Sequence, residues 1–231
     1  MIENLPVWIA WLFGITVILT LWLYWLANLK SGKLIFFITI GSMIHSILAF
    51  QGFYADFSTM PPRFIFVLLP STLIIIYGLL PKVRRRVMQG RDLHLSPFVH
   101  LVRVPVEMVL VFLFYHDTVP ELMTFEGRNF DILAGITAPI AGALYVRGKI
   151  SNRIMIIWNI VCLALVSFIL INGILSAPLP VQQLAFDQPN TGIAYFPFVL
   201  LPAVVVPLVI YTHIIDLFIL FGKTKDRNHV S

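Results

Sequence analysis

Seven apolar stretches, each near the length a helix needs to cross a bilayer, leave this chain room for little else. They cover about residues 6–27, 34–50, 64–81, 98–116, 129–146, 154–176 and 195–221. A spanning helix needs about 20 mostly apolar residues; the second and fifth stretches are short. Only 12% of the residues are charged and 59% are hydrophobic, whereas a soluble domain averages about 25% charged. The expected fold is therefore an all-α integral membrane bundle of seven transmembrane helices, a single domain over residues 1–231.

The basic residues set the expected orientation. Lys30 and Lys33 follow the first stretch, and Lys82, Arg84, Arg85, Arg86 and Arg91 follow the third. Arg147, Lys149 and Arg153 follow the fifth, and Lys223, Lys225 and Arg227 follow the seventh. Only Arg63 and Arg128 fall in the alternate connections, and Arg103 lies inside the fourth stretch. Basic connections mark the cytoplasmic side, so the N-terminus is expected outside and the C-terminus inside, in the plasma (cytoplasmic) membrane. The leader "MIENLP" has no basic residue and precedes a run longer than a signal-peptide core, so the first helix is expected to be retained. The net charge of +5 belongs to this topology signal. The expected partner is the lipid bilayer, not nucleic acid. Trp8 and Trp11 near one end of the first stretch, with Trp22 and Trp25 near the other, suit interfacial belts. Cys162, the single cysteine, cannot form an internal disulfide.

Two stretches echo each other. "FIFVLLP" at 64–70 and "FPFVLLP" at 196–202 differ at one position. If they mark a repeat, helices 1–3 and 5–7 form two parallel copies joined by helix 4, a layout found among transporters. In a chain rich in Phe, Leu and Val, coincidence is the alternative. Pro70, Pro105, Pro139, Pro202 and Pro207 fall inside apolar stretches. Each removes a helix hydrogen bond, giving either a kink or a carbonyl free to line a pathway. Ala134, Ala138 and Gly142 form a small-residue stripe that permits close helix packing, within the chain or in a homo-oligomer.

The polar residues inside the spans matter most, because hydrocarbon rejects them. In "HLVRVPVEMV", His100, Arg103 and Glu107 share one helix face. Counting ~1.5 Å per residue, Arg103 lies roughly 8 Å and Glu107 roughly 13 Å from the cytoplasmic end. In "YTHIID" of the last stretch, Asp216 lies roughly 8 Å and His213 roughly 12 Å deep by the same rise. A charged ladder is expected, with Arg103 on Glu107 and Asp216, and His213 near Glu107. The alternatives are snorkelling of Arg103 to the interface and a purely structural pair. His45 joins Thr39, Ser42 and Ser46 on a polar stripe, as a hydrogen-bonded core residue or a ligand contact. In the outer connections 116–131 and 176–197, Glu126, Arg128, Asp131, Asp187 and Asn190 are binding candidates, with solvated turns as the alternative. Asp131 also suits a helix start.

No phosphate loop, HExxH or CxxC motif is present, so no metal site or cofactor is expected. His100 and His116 find no histidine at matching depth for a haem. The arrangement is similar to that of rhodopsins in topology alone, because the first lysine after Arg153 is Lys223, beyond the last helix. The expected function is transport of a small solute or ion, with Glu107 handling a proton. A ligand-binding sensor without catalysis and a membrane-embedded enzyme acting on a hydrophobic substrate are the rivals.

Overall fold

The computed structural model describes residues 2–29 and 31–230, with side chains described through Thr224. Lys30 and the side chains of Lys225 and Arg227 therefore lie outside the described residues. Among the described residues the chain is helical, with no strand. Its helices are α1 Val7–Ala27, α2 Gly32–Phe50, α3 Ile65–Leu79, α4 Pro81–Gln89, α5 Arg103–Phe114, α6 Ile132–Val146, α7 Asn152–Ser176 and α8 Val206–Val230. A 3-10 segment, Ser96–Val102, leads into α5, and a π-helical segment, Leu201–Val205, leads into α8.

Among the described residues, five spans are long and apolar enough to cross a membrane: α1, α2, Ser96–Phe114, α7 and Leu201–Thr224. A sixth is reached if α3 and α4 count as one, although they are bent by 81°. Pro81 causes the bend. It occupies the first position of α4 and leaves Leu80 in the extended region at ψ 136°, as a residue before proline prefers. The 15-residue α6 is only about 22 Å long. The expected count of seven long spans is thus met by five, or six with the bent pair.

The surface is largely apolar, and the apolar core encloses a buried cluster of charged and polar side chains. Trp11, Ile18, Phe37, Ile74 and Ile157 are each more than 60% exposed, while Arg91, Arg103, Glu107, His213 and Asp216 are buried. Exposed apolar area on this scale marks contact with lipid or partners. Together with the long apolar spans, it makes this a membrane-embedded protein.

The echoing stretches pack side by side. Ser71 Oγ donates to the Ala203 carbonyl at 2.8 Å, and Tyr211 Oη donates to the Gly78 carbonyl at 3.0 Å. The separations are 132 and 133 residues; a near-constant offset means that α3 and the last span run parallel. Pro207 has no N–H to offer the Ala203 carbonyl four residues back, and Ser71 supplies a donor there. The small-residue stripe of α6 faces the Ser96–Phe114 span. A Cβ on Gly135 would meet Val104 at 2.9 Å, and one on Gly142 would meet Phe98 at 3.1 Å. The stripe therefore serves packing within the chain.

Candidate functional site

Arg103 is the hub of the polar interior. It opens α5, and its NH1 donates to Asp131 Oδ1 at 2.8 Å and to the Cys162 carbonyl at 3.3 Å. Its NH2 meets His213 Nε2 at 2.8 Å. One guanidinium thereby ties α5 to the start of α6, to α7 and to α8. An arginine donates only, so His213 Nε2 is the acceptor and its proton sits on Nδ1. Nδ1 then donates to Asn159 Oδ1 at 2.7 Å. Asn159 is held in that sense by its own amide, which donates to the Met155 carbonyl at 2.9 Å. His100 stacks on His213 with ring centroids 3.8 Å apart and planes 8° off parallel. Trp158 closes the same pocket, 5.6 Å from His100 and 5.7 Å from His213. Neither ring nitrogen of His100 has a hydrogen-bond partner.

Two charged pairs and one separate carboxyl result. Asp216 accepts from Arg91 Nε at 3.0 Å and from the Ser96 hydroxyl. Arg91 also donates to Ser96 Oγ at 2.6 Å and lies over the Tyr24 ring. The expected pairing is therefore corrected. Arg103 pairs with Asp131 and contacts His213, whereas Asp216 belongs to Arg91. Glu107 pairs with no cation among the described residues; its Oε2 accepts from the Asn129 side-chain amide. The 3-10 turn explains the slip. Counted from residue 98, five residues at ~2.0 Å rather than ~1.5 Å add roughly 2.5 Å. That shifts Arg103 by about half a helical turn along its span, away from the level expected for Asp216 and toward His213.

Beside Glu107 lies a cavity of about 70 Å³. Arg103, Glu107, Asn129, Asp131 and Asn190 line it, and most of the remaining wall is aliphatic, including Leu68, Val166, Leu170 and Leu201. Gly173 and Pro202 also contribute, so α3, α5, α7 and the π-helical segment all border it. Among the described residues, Glu107 Oε1, Asn190 Oδ1 and Arg103 Nε are buried without a hydrogen-bond partner. Such groups are rare in a folded interior, and a ligand or water within the cavity would satisfy them.

The connections 116–131 and 176–197 pack on each other beside the cavity. The backbone N–H groups of Thr191 and Gly192 donate to the Thr118 carbonyl at 3.0 and 2.7 Å. Gln188 Nε2 reaches the carbonyls of Phe114 and Val119 at 3.0 and 2.7 Å. Of the outer candidates, Asp131 and Asn190 join the cavity wall. Glu126, Arg128 and Asp187 are exposed and are not part of that wall; Tyr115 reaches Glu126 at 3.4 Å. His45 lies apart from the cavity, with Nδ1 2.8 Å from the Tyr54 hydroxyl. Burial raises the Tyr54 phenol above its ordinary value, which keeps that hydroxyl protonated. Asn129 and Arg91 are the site residues that sequence reasoning passed over. Both sit in connections, where composition reads as loop or as topology signal. Among the described residues no cluster of His, Cys, Asp and Glu could hold a metal ion.

The class these features define is a helical, membrane-embedded protein with a buried charge network and a small cavity against one carboxyl group. Residues 60–221 match the family model described as a domain of unknown function (DUF8737), and the chain belongs to that family. The matched span contains every residue of the cavity wall and both buried ion pairs; α1 and α2, with His45, precede it. Neither the curated proteins nor the solved structures contain a match to this chain.

Proposed function

We propose that this is a small-solute transporter of the plasma membrane, in which the cavity holds the solute and Glu107 handles a proton. The carrying observation is the Glu107 carboxyl. It is buried, has no cation partner among the described residues, leaves Oε1 unsatisfied, and lines a cavity bordered by a proline-containing π-helical segment. Ionisable groups at membrane depth are functional by default, and π-helical turns occur often at functional sites.

The topology that suits this reading has seven crossings, with α3 and α4 sharing one and the short α6 making another. It runs from an outer N-terminus to a cytoplasmic C-terminus. The parallel course of α3 and the last span supports it, since the third and seventh crossings both run inward. The basic α4 would then lie along the cytoplasmic face.

A second reading, a ligand-binding sensor, is favoured by a different observation. The Arg103, His213 and Asn159 network beside the cavity is closely hydrogen-bonded; in the proposed topology it lies on the cytoplasmic side, so the pocket would open outward only. Proteoliposomes separate the two. With a pH gradient imposed, a mixed panel of two- to four-carbon amines, amides, alcohols and carboxylates is offered outside, and lumenal content is read by mass spectrometry. Transport predicts accumulation of at least one solute in wild-type vesicles and none above background in Glu107→Gln vesicles. Binding without accumulation selects the sensor.

A further inference from the structure

The charge on the cavity wall points to a class of solute. Three charged side chains line it: Arg103, Asp131 and Glu107. Arg103 and Asp131 compensate each other at 2.8 Å. α3, α7 and the π-helical segment add no titratable side chain to the wall. An ionised Glu107 therefore leaves the wall one negative charge in excess, within a largely aliphatic surround.

Hydrogen-bond capacity points the same way. Glu107 Oε1 and Asn190 Oδ1 both lack partners, and both are acceptors. The Asn190 amide is oriented by its Nδ2, which donates to the Gly173 carbonyl at 3.2 Å. Asn129 satisfies Glu107 Oε2, with the Phe125 backbone N–H nearby, so Oε1 is the oxygen left for a ligand. The complementary molecule is a cation with at least two donors and a short apolar stem.

We propose that the cavity binds a small primary alkylammonium ion, with its ammonium on Glu107 and Asn190 and its alkyl chain against Leu68, Leu170 and Leu201. A proton competes with it for the same carboxylate. This rests on the cavity being a solute site and names the solute class. Size limits the chain. A cavity of roughly 150 Å³ holds the six heavy atoms of benzene, so about 70 Å³ suits methyl- and ethylammonium and excludes cyclohexylammonium. Competition with a proton gives the coupling a transporter needs, because each ammonium bound replaces one proton on Glu107.

The rival class satisfies Arg103 Nε, also unpartnered, with an acceptor: an amide or a carboxylate. Thermal unfolding of the full chain in detergent distinguishes them, since a ligand stabilises the folded state in proportion to ln(1 + [L]/Kd). Ethylammonium chloride, ethanol, acetamide and sodium propionate are compared at equal concentration, with sodium chloride and cyclohexylammonium chloride as controls. The proposal expects stabilisation by ethylammonium alone. The effect grows between pH 6 and pH 9, because the amine stays protonated there (its ordinary value is about 10.4, as for lysine) while protons become scarcer. Glu107→Gln weakens binding on the order of tenfold to a hundredfold, the range of a charged hydrogen bond.

Gly173→Ala provides a second variant. Its new Cβ lies 3.2 Å from the flexible end of Met123 and 3.6 Å from Asn190 Nδ2, so the fold tolerates it while the cavity narrows. Ethylammonium binding is then lost before methylammonium binding. Equal stabilisation by acetamide, propionate or ethanol would overturn the ammonium class and leave the solute site standing. Stabilisation by none of the probes would overturn both.

Discussion

The two stacked histidines occupy similar space and are held very differently. His213 accepts from Arg103 and donates to Asn159, so both ring nitrogens are used. His100 is equally buried, and neither of its nitrogens has a partner. A buried polar atom without a partner costs roughly 1–3 kcal/mol, and replacing it by an apolar group of similar shape is close to neutral or stabilising. His100→Phe is therefore expected to leave the unfolding midpoint unchanged or raised. His213→Phe strips a partner from both Arg103 and Asn159 and is expected to cost about 2–4 kcal/mol. Parallel thermal melts of the two variants check this. A His100→Phe loss as large as that of His213→Phe would show that His100 makes a contact beyond ring stacking.

At the scale of elements, the contact between α3 and the last span depends on a missing hydrogen bond. Pro207 offers no N–H to the Ala203 carbonyl, and Ser71 Oγ donates to it. Ser71→Ala is expected to cost about 1–2 kcal/mol. In a Pro207→Ala background the helix supplies its own donor, so the same change should cost markedly less. A double-mutant cycle reads the difference directly, and purely additive costs would contradict the pairing.

The elements also mark where the sequence was legible. The long apolar spans are visible in hydropathy, and the shared face of His100, Arg103 and Glu107 follows from helical spacing. The wider rise of Ser96–Val102 is not visible there, and it shifts Arg103 along its span by about half a turn. Nor is the inward fold of two connections. Arg91 follows an evident basic cluster, and Asp131 precedes a helix, so each has an ordinary explanation in sequence. What places them inside is tertiary: the Asp92 N–H bonds the Ala27 carbonyl at the end of α1 at 2.8 Å, and Asp131 Oδ1 accepts from the Arg103 guanidinium at 2.8 Å. The π-helical segment likewise has only Pro202 and Pro207 as a hint, and those two residues read equally well as kinks.

At the scale of the whole molecule, the proposed topology puts the exposed Arg85 in the cytoplasm and the exposed Glu126 outside. Single cysteines at these positions in a Cys162→Ala background give the check in intact cells. A membrane-impermeant maleimide should label Glu126→Cys and spare Arg85→Cys; the reverse pattern would invert the protein.

Among the described residues the interior holds two compensated ion pairs and one carboxyl without a cation partner, which the proposal assigns to a ligand. Removing one partner of a buried pair strands a charge and costs about 3–5 kcal/mol, so Asp131→Asn and Asp216→Asn should each destabilise strongly. Glu107→Gln strands no cation, and its amide oxygen can still accept from Asn129. The most direct measurement is the unfolding of these three neutralised variants side by side in one detergent. The predicted result is large losses for Asp131→Asn and Asp216→Asn, with Glu107→Gln within about 1 kcal/mol of wild type. A Glu107→Gln loss as large as the other two would make Glu107 a structural member of the network and contradict its role at a solute site.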